Sequence, residues 1–377
     1  MKEIHDIPTL EAHLATQQSL AGHVIQGLDL TPFTHRLSAL PEGHLDGAVC
    51  LGCALDDAGW AMLRRRGALV FPALEGLPFE PYRPHLYTPE EIYAGFDPAQ
   101  PETYAQTPDA QIYDHWASTG RATPDSIMEA LARRLHDHAM TDAVDDFLSA
   151  DEWKPVAIMG GHSMSRADAG YRTMAHLARL LTERGYLMLS GGGPGAMEAA
   201  HLGAWFVERS ATELDAAVDH LALAPKYTDA LWLSRAFEVR ERWPAEGERH
   251  HSLGIPTWLY GHEPPNPFAS HIAKYFANSV REDGLVTLAR HGIVFAPGSA
   301  GTIQEIFQDA TQNHYATLGE ISPMIFFDTC YWTETKPVYP LLKQLAADRP
   351  YGEYVTICDT VDEIIQFIEA HPPKGVE

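Results

Sequence analysis

Two stretches of this sequence have residue types and spacing suited to holding an anion. One is Ser190 to Ala200 (SGGGPGAMEAA) and the other is Ala296 to Ala310 (APGSAGTIQEIFQDA). Each follows a short apolar run and leads into a segment of helical character. Glycine serves where the backbone must turn sharply and approach a ligand closely. A helix N-terminus adds free N–H groups and a partial positive charge, which suits phosphate. Gly191, Gly192 and Gly193 form the first turn. Gly298, Ser299, Ala300 and Gly301 form the second, with little side-chain bulk over the backbone. Thr302 brings a hydroxyl that can cap the helix or meet a phosphate oxygen. Either turn alone reads equally well as a tight strand-to-helix connection. Two in one sheet point to a ligand, because open α/β sheets bind at the carboxyl ends of their strands, where both turns fall.

The elements that must position these turns follow a βαβ rhythm. PVAIMGG is a short apolar strand ending in Gly160 and Gly161. ADAGYRTMAHLARLLTERG is a helix stopped by Gly185. YLMLS leads into the first turn and HGIVFA into the second. GIPTWLYG and SPMIFFD read as further strands, residues 210–250 as mostly helical, and VYPLLKQLAAD and TVDEIIQFIEAH as closing helices. Near-continuous apolar strands alternating with helices mark a parallel sheet covered on both faces. The expected fold class is therefore α/β, a Rossmann-like parallel sheet with helices on both faces. A smaller N-terminal α/β region precedes it, with strands at DGAVCLGC and ALVFP around the helix DDAGWAMLRRRG. Residues 72–125 are rich in Pro, Tyr and Gly and read as irregular. A helix from Asp125 to Leu148 and the linker SADEWKP then put the domain boundary near residue 150. This gives residues 1–150 as an accessory domain, for regulation or oligomerisation, and 151–377 as the domain that carries the chemistry.

Composition narrows the function classes. The 377 residues carry 27 Lys and Arg against 51 Asp and Glu, a formal net charge of −24. A surface that grips a nucleic-acid backbone needs cations to release counterions, and this chain repels phosphate at long range. Nucleic acid is excluded as a partner; a single small anion held by local N–H groups is not. No run of about 18 apolar residues signals a membrane span. The N-terminus lacks a secretory apolar region, and four cysteines are few, so a cytoplasmic location is expected. Cys50 and Cys53 form one CLGC pair in what reads as a buried strand, without a second ligand pair for zinc. The 20 histidines match no metal-binding spacing. Neither a metal nor a cofactor is expected.

PGSAGTIQE, Pro297 to Glu305, resembles the P-G-G-x-G-T-x-x-E motif of the "lonely guy" nucleotide phosphoribohydrolases, formerly mislabelled lysine decarboxylases. HGIVFA resembles their bacterial relatives, the pyrimidine/purine nucleotide 5′-monophosphate nucleosidases. SGGGPGAME, with Met197, resembles the family's glycine-rich strand–turn–helix. VAIMGGHS resembles its opening strand and loop, matching at Gly161 and Ser163. ANSVRED supplies Arg281 where the family places an essential arginine. The resemblance covers about residues 154–330. Ser299 replaces the second glycine of the motif, and Glu282 stands where a lysine often follows the arginine.

The resemblance implies an enzyme that hydrolyses the N-glycosidic bond of a nucleoside 5′-monophosphate to free base and ribose 5-phosphate. It also implies a homodimer or higher homo-oligomer. Cleavage builds positive charge on the ribose, which a nearby carboxylate stabilises while it orients or deprotonates water. Glu305 lies one helical turn beyond Thr302 and shares its face, so it can face a ribose whose phosphate sits at the turn. Its competing role is a capping box, with Thr302 at the cap. Arg281 can bind phosphate or ribose hydroxyls or stabilise the leaving base; its competing role is a solvated helix-surface charge. Tyr260 to Phe268 (YGHEPPNPF) can line a base pocket or form an ordinary loop.

Two alternatives stay open. A Rossmann-like protein could hold a nucleotide or phosphorylated cofactor without cleaving it. GGGPGA also satisfies the dinucleotide fingerprint, with Glu208 or Glu213 as the acidic partner. That turn follows the second strand of its domain, and the segment around both glutamates reads as helical, which speaks against a nicotinamide cofactor.

Overall fold

The computed structural model describes residues 2–16 and 18–376, arranged in two compact units. The smaller comprises residues 1–86 and 123–146. Its four strands, β1 (Lys2–Ile4), β2 (His23–Gln26), β3 (Val49–Leu51) and β4 (Leu69–Phe71), form a parallel sheet in that order. Leu10 and Leu14 of one helix and Met62 and Leu63 of another bury against Ile4, Ile25 and Cys50. Cys50 and Cys53 are buried free thiols within this core.

The larger unit comprises residues 87–122 and 147–377. Its sheet is built from β5 (Lys154–Met159), β6 (Tyr186–Ser190), β7 (Ser252–Gly254), β8 (His271–Ile272), β9 (Ile293–Phe295), β11 (Met324–Phe327) and β12 (Val355–Cys358). A separate antiparallel pair joins β10 (Glu320–Ile321) to β13 (Lys374–Gly375). The seven strands run in the order β12-β11-β9-β5-β6-β7-β8, and every pairing is parallel. Helices lie on both faces, a Rossmann-like α/β arrangement. The chain steps outward from β5 through β6 and β7 to β8, then returns to the opposite edge of β5 as β9. The reversal between β5 and β9 is a topological switch point, where the connections diverge and leave a crevice at the strand ends.

Burial explains the strands. Val156 to Met159, Leu187 to Leu189 and Ile293 to Phe295 are all buried, as expected when helices cover both faces of a parallel sheet. Helix Ala169–Glu183 packs on helix Ala196–Trp205 so closely that a side chain at Gly203 would meet the Ala175 carbonyl oxygen at 2.2 Å.

Three local details differ from the sequence expectation. The strand expected at GIPTWLYG is shifted back to Ser252–Gly254, ending on the first residue of that segment, and Trp258–Tyr260 form a short 3-10 turn. The helix after the second glycine turn starts at Ala300, two residues before Thr302. Residues 87–122 are not simply irregular, nor do they group with the N-terminal residues. They include helices Pro89–Ile92 and Pro108–Ser118 and belong to the larger unit. Burial of polar partners ties them there. The Lys274 ammonium and the Asp109 carboxylate pair with both side chains fully buried, and the Tyr104 hydroxyl donates to the same carboxylate at 2.9 Å. Tyr87 exchanges backbone hydrogen bonds with Ile272 on the edge strand.

Candidate functional site

The two glycine-rich turns meet at the switch point. The Gly161 N–H after β5 donates to the Pro297 carbonyl after β9 at 3.1 Å. The turn after β6 closes on the same loop. Gly195 has φ +71°, and a side chain there would stand 2.4 Å from the Gly161 carbonyl oxygen. These contacts leave a cleft of about 490 Å³. Of the residues expected from sequence, Gly161, Ser163, Gly191, Gly193, Met197, Arg281, Ser299, Ala300, Gly301, Thr302 and Glu305 line it. Gly192 and Gly298 do not. Gly192 is packed against Pro256, and Gly298 is covered by the Thr302 side chain.

Ser299 takes the cap position of helix Ala300–Tyr315 and makes no side-chain capping bond. Thr302 is therefore inside the helix, and the capping box weighed for Thr302 and Glu305 does not form. The cap side chain meets none of the first N–H groups of this helix, and Ser299 to Thr302 line the cleft, a local arrangement suited to an anion. One turn on, the Glu305 side chain is only 12% exposed, and its Oε1 lies 3.6 Å from Arg281 Nη1. Burial raises the Glu305 pKa from 4.5 to about 7; Arg281 pulls it down and Glu282 pushes it up.

Arg281 is not a solvated surface charge. It is 8% exposed, its Nε donates to the Ile255 carbonyl at 2.8 Å, and its guanidinium lies over Gly191, where any side chain would collide with Nη2 at 2.1 Å. The glycine of the first turn thus makes room for the arginine. Helix Asn278–Leu288, which carries Arg281, is stitched to the Glu305 helix by three glutamines one turn apart. Gln304 donates to Glu282, Gln308 to Asp283 and Gln312 to Thr287, at 2.6, 3.0 and 3.1 Å.

Two side chains behind the second turn, Lys336 and Tyr331, escaped the sequence reading. Lys336 Nζ donates to the Gly298 carbonyl at 2.9 Å and to Ser299 Oγ at 3.0 Å, and the Tyr331 hydroxyl donates to the same carbonyl. An ammonium therefore stands behind the second turn, recruited by the serine that replaces the motif glycine. Glu263 and His162 line the cleft, with Glu263 Oε1 3.7 Å from His162 Nδ1. Lys336 leaves no trace in any local pattern, because it lies 37 residues from the serine it meets, whereas Glu263 lies inside the YGHEPPNPF segment read from sequence as a possible base-pocket lining. Tyr260 of the same segment also lines the cleft. Its Asn266 holds the loop against the first turn through bonds to the Gly192 and Gly193 carbonyls, at 2.8 and 3.3 Å.

The acidic residues weighed for a dinucleotide ribose are used elsewhere. Glu208 forms a two-point pair with Arg249, and Glu213 closes a capping box with Ser210. Among the described residues no helix is long and apolar enough to cross a membrane.

No protein-family model and no curated protein matches this chain. Among solved structures it is similar to a molybdenum cofactor binding protein from the phototrophic bacterium Rippkaea orientalis, at 15% identity and a TM-score of 0.36, covering 58% of this chain and 96% of that one. The molybdenum cofactor carrier protein of Chlamydomonas reinhardtii gives 13% identity and the same score, over 58% and 96%. A structural-genomics target gives 22% identity and 0.34, over 58% and 99%. Likenesses at this level carry no inference about activity, and the functional reading rests on the residues of the cleft.

Proposed function

We propose that this chain hydrolyses the N-glycosidic bond of a nucleoside 5′-monophosphate, releasing the free base and ribose 5-phosphate. The observation that carries the reading is the Glu305 carboxyl, buried beside Arg281, one helical turn from an uncapped helix N-terminus at the switch point. The phosphate takes the Ser299–Gly301 backbone, where N–H groups offset the repulsion of a −24 molecule. Ser299, accepting from Lys336, keeps its own proton to donate. The ribose then extends toward Glu305. As the C1′–N bond stretches, the ionised carboxylate stabilises the growing positive charge and takes a proton from the attacking water. Arg281 fixes that carboxylate and partly offsets its desolvation, so a group buried this deeply still ionises near neutrality.

The test is a substrate panel of AMP, GMP, CMP, UMP and a cytokinin ribotide, with free base and ribose 5-phosphate measured. Release from at least one is expected. Nucleotide that binds but stays intact through long incubation, at enzyme levels able to detect slow turnover, would replace this reading with a binding protein on the same cleft.

A further inference from the structure

The cleft holds a second carboxyl that the proposed reaction has not used. Glu263 comes from the loop after β7, and its side chain is 14% exposed. Among the described residues no protein donor lies within hydrogen-bonding distance of its carboxyl. Two imidazole nitrogens lie just beyond that distance from Oε1, His162 Nδ1 at 3.7 Å and His262 Nε2 at 3.8 Å. A half-buried carboxyl with no protein donor is left to water, a proton or a ligand in the cleft. The loop that carries it is held in place, since Asn266 fastens it to the first glycine turn and the Glu263 N–H donates to the Tyr260 carbonyl at 2.8 Å. Tyr260 presents a 45% exposed ring to the same cleft. One loop therefore offers an aromatic face and a carboxyl together, apart from the phosphate turn.

Base departure needs such a group. When the C1′–N bond breaks, its electron pair stays on the base, and a neutral product requires a proton on a ring nitrogen. Glu305 cannot give that proton while it is ionised to serve the ribose. We propose that Glu263 is the general acid that protonates the departing base, with Tyr260 as the surface against which the base stacks. This role rests on the nucleosidase reading above. The C1′–N bond breaks as the Glu263 proton passes to the base nitrogen. Water oxygen bonds to C1′ and its proton passes to Glu305. Transfer of that proton back to Glu263, through His162 and solvent, restores the enzyme, and His162 at 52% exposure faces solvent. The groups around Glu263 are His162, His262, Arg281 and Tyr227. Burial raises its pKa, the direction an acid needs, and outweighs the lowering by His162, His262 and Arg281.

The experiment compares two leaving groups in the intact chain: a nucleotide from the panel, and 4-nitrophenyl riboside 5-phosphate, whose phenolate departs without a proton. Glu263→Gln is expected to lower kcat on the nucleotide by about 10²-fold or more, to change the aryl substrate less than about threefold, and to remove the alkaline limb of the nucleotide pH profile. Glu263→Asp, which keeps an acid, recovers part of the nucleotide rate and all of that limb. Calorimetry with ribose 5-phosphate checks that each variant still folds and binds. Equal loss on both substrates, or no loss on the nucleotide, overturns the role and leaves the nucleosidase reading standing. If the aryl substrate is not turned over, the alkaline limb decides, and its survival in Glu263→Gln overturns the role. A wild-type chain that frees no base from any nucleotide removes both together.

Discussion

The two glycine-rich turns look alike as sequence and are used in opposite ways. In the turn after β6, glycines are spaces into which other groups fit. The Arg281 guanidinium lies over Gly191, Pro256 lies on Gly192 and the Gly161 carbonyl presses on Gly195. Residues Gly191 to Ala196 are all buried. In the turn after β9, Ala300 and Gly301 are exposed, and a side chain added at Gly301 would meet nothing within 4 Å. The first turn assembles the cleft and the second faces what enters it. Glycine content alone does not separate these uses; the neighbours of each Cα do.

The comparison can be broken in four places. Glu305→Gln, one turn beyond the open turn, is expected to lower base release by about 10²–10⁴-fold while ribose 5-phosphate still binds by calorimetry. Unchanged turnover would leave the open turn a binding feature only. Gly195→Ala attacks the sealed turn and should act on folding instead. Its φ of +71° and the 2.4 Å clash combine, and the backbone strain alone costs about 1–3 kcal/mol. A loss of soluble protein or a marked fall in Tm is the expected result, whereas Gly301→Ala should leave Tm unchanged and weaken nucleotide binding. Equal Tm for the two alanine variants would erase the distinction. Lys336→Met should weaken ribose 5-phosphate binding by about tenfold, within the range for one charged hydrogen bond, with kcat nearly preserved. An affinity equal to wild type would show that Ser299 does not depend on its ammonium partner.

The fourth prediction concerns pH. Glu305 binds its proton more tightly folded than unfolded, because burial lifts its pKa to about 7. The folded state therefore loses stability as pH climbs from about 4.5 to 7, and the cost is complete above 7. Glu305→Gln removes that cost. Its Tm advantage over wild type should be larger at pH 8 than at pH 5, by roughly 2–4 °C per kcal/mol for a domain of this size. Turnover follows the opposite sign, rising with pH through about 7 as the carboxylate forms. A stability difference independent of pH would mean that Glu305 is ionised throughout.

The larger unit was legible because its signals are local. A buried parallel strand is a continuous apolar run, and each glycine turn joins one such run to a helix, so the alternation could be read without contacts. Glu305 and Arg281 were legible through the long motif and its spacing. The capping arrangement was misread because Ser299 rather than Thr302 begins the helix, a choice of φ and ψ that either residue type allows. Residues 87–122 looked irregular because their order comes from the buried Lys274–Asp109 pair and a bridge to β8, partners 165 and 185 residues away in sequence. Lys336 lies 37 residues from the serine it serves, and Glu263 reaches the cleft only because Asn266 docks its loop. Groups delivered by loop packing have no periodicity to betray them.

The glutamine ladder between the Arg281 helix and the Glu305 helix has a consequence for timing. The glutamine amides carry no charge and do not titrate, so the donors of all three rungs are unchanged whichever way Glu305 is protonated; two of their acceptors are the Glu282 and Asp283 carboxylates and the third is the Thr287 hydroxyl. Sliding one helix along the other would break all three at once. The acid and its guanidinium are thereby mounted on a single stiff plate. A proton can arrive at Glu305 and leave it in each cycle without the spacing to Arg281 having to be found again.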